Sequence, residues 1–342
     1  MKRAAITFAF VVLVATDATR AADTLDIYFI DTEGGQATLL VTPSGQTMLI
    51  DSGFADADPA IGRDASRIAA AAKLANAKRI DVFMPTHFHG DHVGGVEQVA
   101  VRLPIGLFVD DGPAVQESAP LKQRVGEYSE IYAAEFAKGK HLVVKAGDTI
   151  PLKGLDVTVV AANGKPTAAK GTANPNCEGI AMRPAGNPED TESIGVVIQF
   201  GRFRFANFGD MPWNKEVELL CPENKVGRLD VYQTPGHGRE PSKAVYAMAP
   251  RVAVADNGAR KGAGPAALQA FRSMPGLEDL WLLHFNVPGG AEGNPPAEFI
   301  ANLDEPASGD RGSYLKLSAM QDGSFTMFNS RTNAIRKYAP RR

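Results

Sequence analysis

The chain has 342 residues, of which 44% are hydrophobic and 22% charged, and its formal net charge is −3. This is globular composition, which excludes a collagen-like, low-complexity or disordered chain and allows one large α/β domain or two small ones. Mild acidity without a basic stripe also excludes a generic nucleic-acid binder, so no stable nucleic-acid complex is expected.

The amino terminus differs from the rest. Met1-Lys2-Arg3 is basic, Ala4 to Ala15 is almost wholly apolar, and small residues follow through Ala22. This pattern predicts a secretory signal peptide over residues 1–22, cleaved between Ala18 and Ala22, and a mature region over residues 23–342. The apolar run is short for a membrane span, and no second run of spanning length follows, so no span is expected after signal removal. Loss of Lys2, Arg3, Arg20 and Asp17 moves the formal charge from −3 to −5. The expected location is exported, periplasmic or secreted. An oxidising compartment would allow one disulfide between Cys177 and Cys221, although sequence cannot place their α-carbons. Their spacing is not C-x-x-C, which disfavours a thiolate metal site.

In chain order, Asp26–Ile30, Ala37–Val41 and Met48–Ile50 read as strands of an antiparallel meander, turning at Glu33-Gly34-Gly35 and Pro43-Ser44-Gly45. Asp64 to Ala77 reads as a helix with Ile68 and Leu74 on its period and Asp64 as N-cap. Ile80–Met84 is a short buried strand, and Val96–Val101 a helix. Phe108–Pro120 reads as a loop and Leu121–Lys138 as a helix. His141–Val144 and Leu155–Val160 read as strands around a turn at Gly147-Asp148. Residues 163–190 are rich in Gly, Pro and Asn with little periodicity, which suggests a functional loop or lid. Ile194–Phe200 and Phe203–Phe208 form a hairpin over Gly201-Arg202. Leu229–Gln233, Val252–Ala255 and Leu280–Phe285 are later strands. Tyr314–Ala319 and Phe325–Asn329 flank a turn at Gln321-Asp322-Gly323, and the basic stretch Arg331–Arg342 reads as a solvated tail.

One segment carries chemistry. Thr86-His87-Phe88-His89-Gly90-Asp91-His92 places four metal-binding side chains within six residues, at the end of the apolar run Ile80–Met84. His87 and His89 stand at i and i+2, so an extended segment presents both rings on one side, where they can hold one zinc-like ion. Asp91 and His92 come next, where the chain can turn into a helix, and can face a second ion. His141 starts a strand with no acidic or histidine neighbour in sequence and reads as structural.

The H-x-H-x-D-H spacing resembles the metal-binding signature of the metallo-β-lactamase superfamily. The resemblance implies a four-layer αββα sandwich and a metal-dependent hydrolase domain over residues 23–342 with a C-terminal extension. Phe29-Ile30-Asp31, Gly34–Ala37, Leu49–Gly53, His87–Gly95, Ser193–Gly195, Gly209-Asp210 and His237-Gly238 look most like the hydrolase domain of bacterial DNA-uptake competence proteins and their secreted stand-alone relatives. It further implies that Asp210 bridges two metals, that His237 is a ligand of the second, and that Asp51 orients a metal-binding histidine from behind. His284, which ends an apolar run, could be a ligand, a proton donor, an orienter or a core histidine.

The chain departs from the resembled patterns in two respects: competence-like members usually carry paired histidines before the glycine, where this chain has Gly236-His237, and a histidine is missing from the first metal's set. Many members place another histidine between the first motif and the Gly-Asp, and here only His141 lies in that interval. The expected sets are therefore His87, His89 and Asp210 for one ion, and Asp91, His92, Asp210 and His237 for the other. The expected cofactor is two divalent ions, zinc first, with manganese or iron left open by the mixed N/O donors. Bound hydroxide would attack an ester, with Asp91 able to accept a proton and Asp210 held between the ions. The competence-like resemblance favours a small or oligomeric phosphodiester. Hydrolysis of a lactam, lactone or thioester is the alternative within enzymes, and an exported non-catalytic metal-binding or interaction protein is the alternative outside them.

Overall fold

The computed structural model describes residues 23–58, 62–115, 121–305 and 312–341. The expected signal segment 1–22 lies outside the described residues, as does part of the expected 108–120 loop. The first half runs β1 (Leu25–Phe29), β2 (Thr38–Val41), β3 (Thr47–Ile50), α1 (Arg63–Leu74), β4 (Ile80–Met84), α2 (Val96–Arg102), β5 (Ile105–Asp110), α3 (Leu121–Phe136) and β6 (Lys140–Val143). There follow β7 (Thr149–Ile150), β8 (Asp156–Ala162), β9 (Lys165–Pro166), β10 (Thr172–Ala173), α4 (Pro188–Thr191), β11 (Gly195–Phe200) and β12 (Phe203–Asn207). The remainder is α5 (Trp213–Leu220), β13 (Glu223–Asn224), β14 (Val231–Gln233), α6 (Pro235–Gly238), β15 (Val252–Ala255), α7 (Pro265–Arg272), β16 (Asp279–His284), α8 (Gly290–Gly293), β17 (Ile300–Asn302), β18 (Leu315–Ala319), β19 (Phe325–Asn329) and β20 (Ala334–Tyr338).

Two large sheets result. One has the order β20-β19-β18-β1-β2-β3-β4-β5-β6, the other β17-β16-β15-β14-β12-β11-β8-β7. In each, an antiparallel meander passes into parallel strands, at β3–β4 in the first and β12–β14 in the second. The alternation of apolar residues sets the layers, because successive side chains leave opposite faces of a strand. Leu25, Ile27 and Phe29 of β1 meet Val157 and Val159 of β8, Phe203 and Phe205 of β12 and Val231 of β14 in a core between the sheets. Tyr28, Leu39, Leu49 and Phe83 face outward onto Ala65, Ile68, Val96, Val99 and Tyr132 of α1 to α3. On the far side Val160, Ala206, Tyr232 and Ala253 pack under Leu219, Leu220, Leu268 and Phe271 of α5 and α7. Helices, sheet, sheet, helices: this is the expected αββα sandwich.

Local expectations needed correction. Gly62, not Asp64, caps α1, because the chain enters in the left-handed region at φ 39°. Asp64 instead lies buried in the first turn, accepting from Phe54 N at 2.8 Å and Arg63 Nε at 2.7 Å. Leu74 is exposed, and the buried stripe of α1 is Ala65, Ile68, Ala71 and Ala72. Residues 105–110 form a strand rather than loop; β4 on one side and β6 on the other satisfy its backbone. The C-terminal stretch is an edge strand, β20, whose Tyr338 is buried against Phe325 and Trp281. Cys177 and Cys221 form a disulfide with α-carbons 5.8 Å apart, tying the 163–190 segment to the end of α5.

Candidate metal centre

Parallel strands end on one side of the sandwich, and the polar residues that follow them converge there, as α/β folds commonly arrange. Asp51 follows β3, the His87–His92 segment follows β4, Asp210 follows β12, His237 follows β14 and Asp256 follows β15. Asp51 holds the first two together. Its backbone N–H donates to Met84 O at 3.0 Å, and its Oδ1 accepts from Thr86 N at 2.6 Å. The motif then folds on itself through His92 N to His89 O at 3.0 Å, and Ser52 N donates to His92 O at 2.6 Å. Gly209 turns at φ 55°, where a Cβ would fall 2.6 Å from the Thr86 side chain. Only glycine lets the Asp210 loop lie this close to the motif.

The side chains form two adjoining groups. In the first, His87 Nε2 and His89 Nδ1 lie 2.9 Å apart, and Asp190 Oδ1 stands 3.6 and 3.0 Å from them. In the second, His237 Nε2 is 3.1 Å from Asp91 Oδ2, and His92 Nε2 is 3.6 Å from the same oxygen. Asp210 Oδ1 lies 3.2 Å from His92 Nε2 and 3.4 Å from His237 Nε2, and Asp210 also groups with His87 and His92 within 4.8 Å. Asp190 Oδ1, Asp210 Oδ1 and His92 Nε2 are buried and make no correctly directed hydrogen bond. Buried polar atoms normally find partners, and leaving them without is costly. Carboxylate oxygens and imidazole nitrogens facing one another without hydrogen bonds are what divalent ions would satisfy, so the donor set fits the metals that the resemblance implies.

Outer contacts aim these ligands. His92 Nδ1 donates to Asp51 Oδ2 at 2.8 Å, leaving Nε2 to face the centre. The same oxygen accepts from Thr86 Oγ1 at 2.9 Å and Gln36 Nε2 at 2.6 Å. Behind His237, Asp256 Oδ2 is 3.8 Å from Nδ1. Arg239 donates to Asp190 Oδ2 at 3.2 Å and to the Asp210 carbonyl at 3.0 Å, so Asp190 turns its other oxygen inward. Lys261 pairs with Asp91. Asp51 and His237 take φ values of 60° and 58°, a region that costs a non-glycine residue roughly 1 kcal/mol or more and collects at functional sites.

The protonation pattern follows from crowding. Burial, together with its imidazole neighbours, holds His87 well below its ordinary pKa and therefore neutral. Burial opposes charge on Asp210 and Asp91, yet His237 and His92 beside them keep both carboxyls well below the usual range. The same carboxylates overcome burial to raise His92 well above its ordinary value and His237 to about 9. Burial lifts Asp256 to about 6. A cation binding among these groups would have to displace the protons that the carboxylates favour on His92 and His237.

The structure brings His87, His89, Asp91, His92, Asp210 and His237 together, with Asp51 behind His92. It does not bring in His284. That ring donates from Nε2 to Asp31 Oδ1 at 2.6 Å, in a separate buried network where Arg67 pairs with Asp31 at 3.0 Å and with Glu33 at 3.7 Å. His141 stacks on Phe136 and lies 2.5 Å from Asp110 Oδ2, a structural role. Sequence reasoning missed Asp190, which stands where a further histidine was sought. It ends the aperiodic 163–190 segment, and its neighbour Glu189 locks that end in place. Glu189 accepts from Phe88 N at 2.8 Å and Val115 N at 2.9 Å. The acidic pair Glu189-Asp190, a few residues before the strand at Gly195, was the available signal.

The model of the metallo-β-lactamase superfamily matches residues 31–167, which contain Asp51 and the His87–His92 motif but not Asp190, Asp210 or His237. No curated protein matches the sequence. Among solved structures, the chain is similar to the metallo-β-lactamase fold protein YhfI from Bacillus subtilis at 11% identity, covering 76% of this chain and 96% of that one with a TM-score of 0.44. It is similar to the metallo hydrolase Igni18 from Ignicoccus hospitalis at 15% identity, covering 68% and 81%, TM-score 0.36. A third is CmlA, a diiron β-hydroxylase from Streptomyces venezuelae, at 13% identity, covering 68% of this chain and 44% of that one, TM-score 0.36.

Proposed function

We propose that the chain, which the metallo-β-lactamase superfamily model matches over residues 31–167, is an exported metal-dependent hydrolase that cleaves a phosphodiester or related ester with two divalent ions. His87, His89 and Asp190 hold one ion, Asp91, His92 and His237 hold the other, and Asp210 is shared. The observation that carries this reading is the set of buried, inward-facing ligand atoms without hydrogen bonds: Asp190 Oδ1, Asp210 Oδ1 and His92 Nε2. When bound, zinc-like ions supply an activated water with a pKa near 7 and stabilise a developing oxyanion. The chain's own part is positioning. Asp51 fixes the His92 ring, Arg239 fixes Asp190, and Lys261 fixes Asp91.

A cleft of about 410 Å³ opens beside the ligands, with Arg124, Arg239 and Lys261 on its walls. Two divalent ions against Asp91, Asp190 and Asp210 would leave one positive charge, and these three cations raise the cleft to about +4. That sign favours an anionic ester over a neutral lactam, lactone or thioester, and the competence-like sequence pieces point the same way. Export rests on the amino-terminal pattern and on the Cys177–Cys221 bond, which an oxidising compartment would preserve. Among the described residues no helix is long and apolar enough to cross a membrane. The test is turnover of bis(4-nitrophenyl) phosphate by metal-loaded chain, abolished by chelator and restored by added metal. Metal binding with no turnover of this or any activated ester would instead favour a non-catalytic role.

A further inference from the structure

We infer that Arg124, with Tyr128 one turn further along α3, forms a subsite for a second, non-reacting oxyanion on the substrate. This rests on the anionic-ester reading above. The three cations of the cleft are not equivalent. Arg239 is committed to Asp190 and the Asp210 carbonyl, and Lys261 to Asp91, so both serve the metal ligands. Arg124 lines the same cleft, yet among the described residues it has no hydrogen-bonded or ion-paired partner. Its guanidinium is the cleft charge left for a ligand. Arg124 and Tyr128 are spaced i, i+4 and both line the cleft, so one helix face offers a guanidinium and a phenol hydroxyl together.

The placement of α3 is built in. A Cβ on Gly90 would fall 2.5 Å from the Tyr128 ring, so the bare glycine of the motif lets that ring lie directly against the metal-binding loop. The subsite is thus set at a short, fixed reach from the ligands. A guanidinium with an adjacent hydroxyl recognises a terminal phosphate or carboxylate, and each charge-assisted contact is worth about tenfold or more in affinity. The substrate is accordingly an ester that carries one anionic group at the reacting centre or its product, and a second anion away from it.

The test compares two nucleotides that differ by one phosphate, thymidine 5′-monophosphate and thymidine 3′,5′-bisphosphate, binding to the metal-loaded full chain by calorimetry. The wild type is expected to bind the bisphosphate at least tenfold more tightly. Arg124→Gln should remove that preference by weakening the bisphosphate far more than the monophosphate, with metal content and melting temperature unchanged, and Tyr128→Phe should reduce it in part. Equal binding of the two by the wild type, binding of neither, or a preference that persists in Arg124→Gln would overturn the inference. A preference found without turnover of bis(4-nitrophenyl) phosphate would leave the subsite standing and sink the catalytic reading. Turnover without the preference would do the reverse.

Discussion

Replacing Asp51 by Asn perturbs the centre without touching a proposed ligand. Asn tolerates the left-handed φ of 60° found at this position, so the backbone should be unaffected. The side chain cannot reproduce the hydrogen bonds. Asp51 Oδ1 accepts from Thr86 N, and Oδ2 accepts from His92 Nδ1, Thr86 Oγ1 and Gln36 Nε2. All are donors apart from the reversible hydroxyl, so the amide NH₂ of Asn must face at least one N–H wherever it points. Two costs follow. A buried donor left without an acceptor costs about 1–3 kcal/mol of stability. Loss of the partner that fixes a ligating histidine typically costs 10–100-fold in metal affinity, about 1.4–2.7 kcal/mol. Chelator competition should therefore show one of two ions weakened by that factor, and the melting temperature should fall even without metal. An Asp51→Asn chain that holds both ions as tightly as the wild type would refute the argument that Asp51 aims His92.

Other outcomes follow from the same geometry. Asp190→Asn keeps the volume but removes the anionic ligand, and metal analysis should find about one ion per chain, with the His87/His89 side weakened at least tenfold. Replacing both Cys177 and Cys221 by Ser opens a 44-residue separation and should cost about 4 kcal/mol by the chain-entropy model, read in urea unfolding. Burial, aided by Glu189 and Asp110, raises Asp111 from 3.8 to about 7. The folded state therefore binds this proton more tightly than the unfolded chain. The stability it contributes is whole below pH 4 and is lost as pH rises toward 7. Asp111→Asn should stabilise the chain at pH 8 by about 2 kcal/mol, allowing for partial exposure, and by nothing measurable at pH 4. Because Asp210 and Asp91 raise His237 to about 9 in the metal-free centre, metal must displace its proton. Calorimetry in buffers of different ionisation enthalpy should show proton release on binding and affinity that climbs from pH 6 to pH 9.

Much of the sandwich could be read from the chain because period-2 alternation is strong in its central strands. β1, β3, β4, β11, β12 and β15 lie within about one residue of expectation. β5 was hidden because Pro104, Gly106 and Gly112 break up a short apolar run of Ile105, Leu107, Phe108 and Val109. β20 was hidden because edge position leaves Ala334 to Lys337 exposed, so its alternation carries no apolar signal. At the centre, the motif residues were legible because they are local: six residues hold four candidate ligands, three histidines and an aspartate. Asp190 was not, because its role depends on a 28-residue aperiodic segment folding back onto Phe88 and Val115 through Glu189. His284 could not be placed from sequence for the same reason, since its partner Asp31 lies 253 residues away.

Asp190 completes the proposed two-ion centre. The most direct measurement is metal content of the full chain, purified without chelator, dialysed against excess zinc and then freed of unbound ion. Two ions per chain, falling to one in Asp190→Asn, is the predicted result. One ion in the wild type, unchanged by Asp190→Asn, would contradict it.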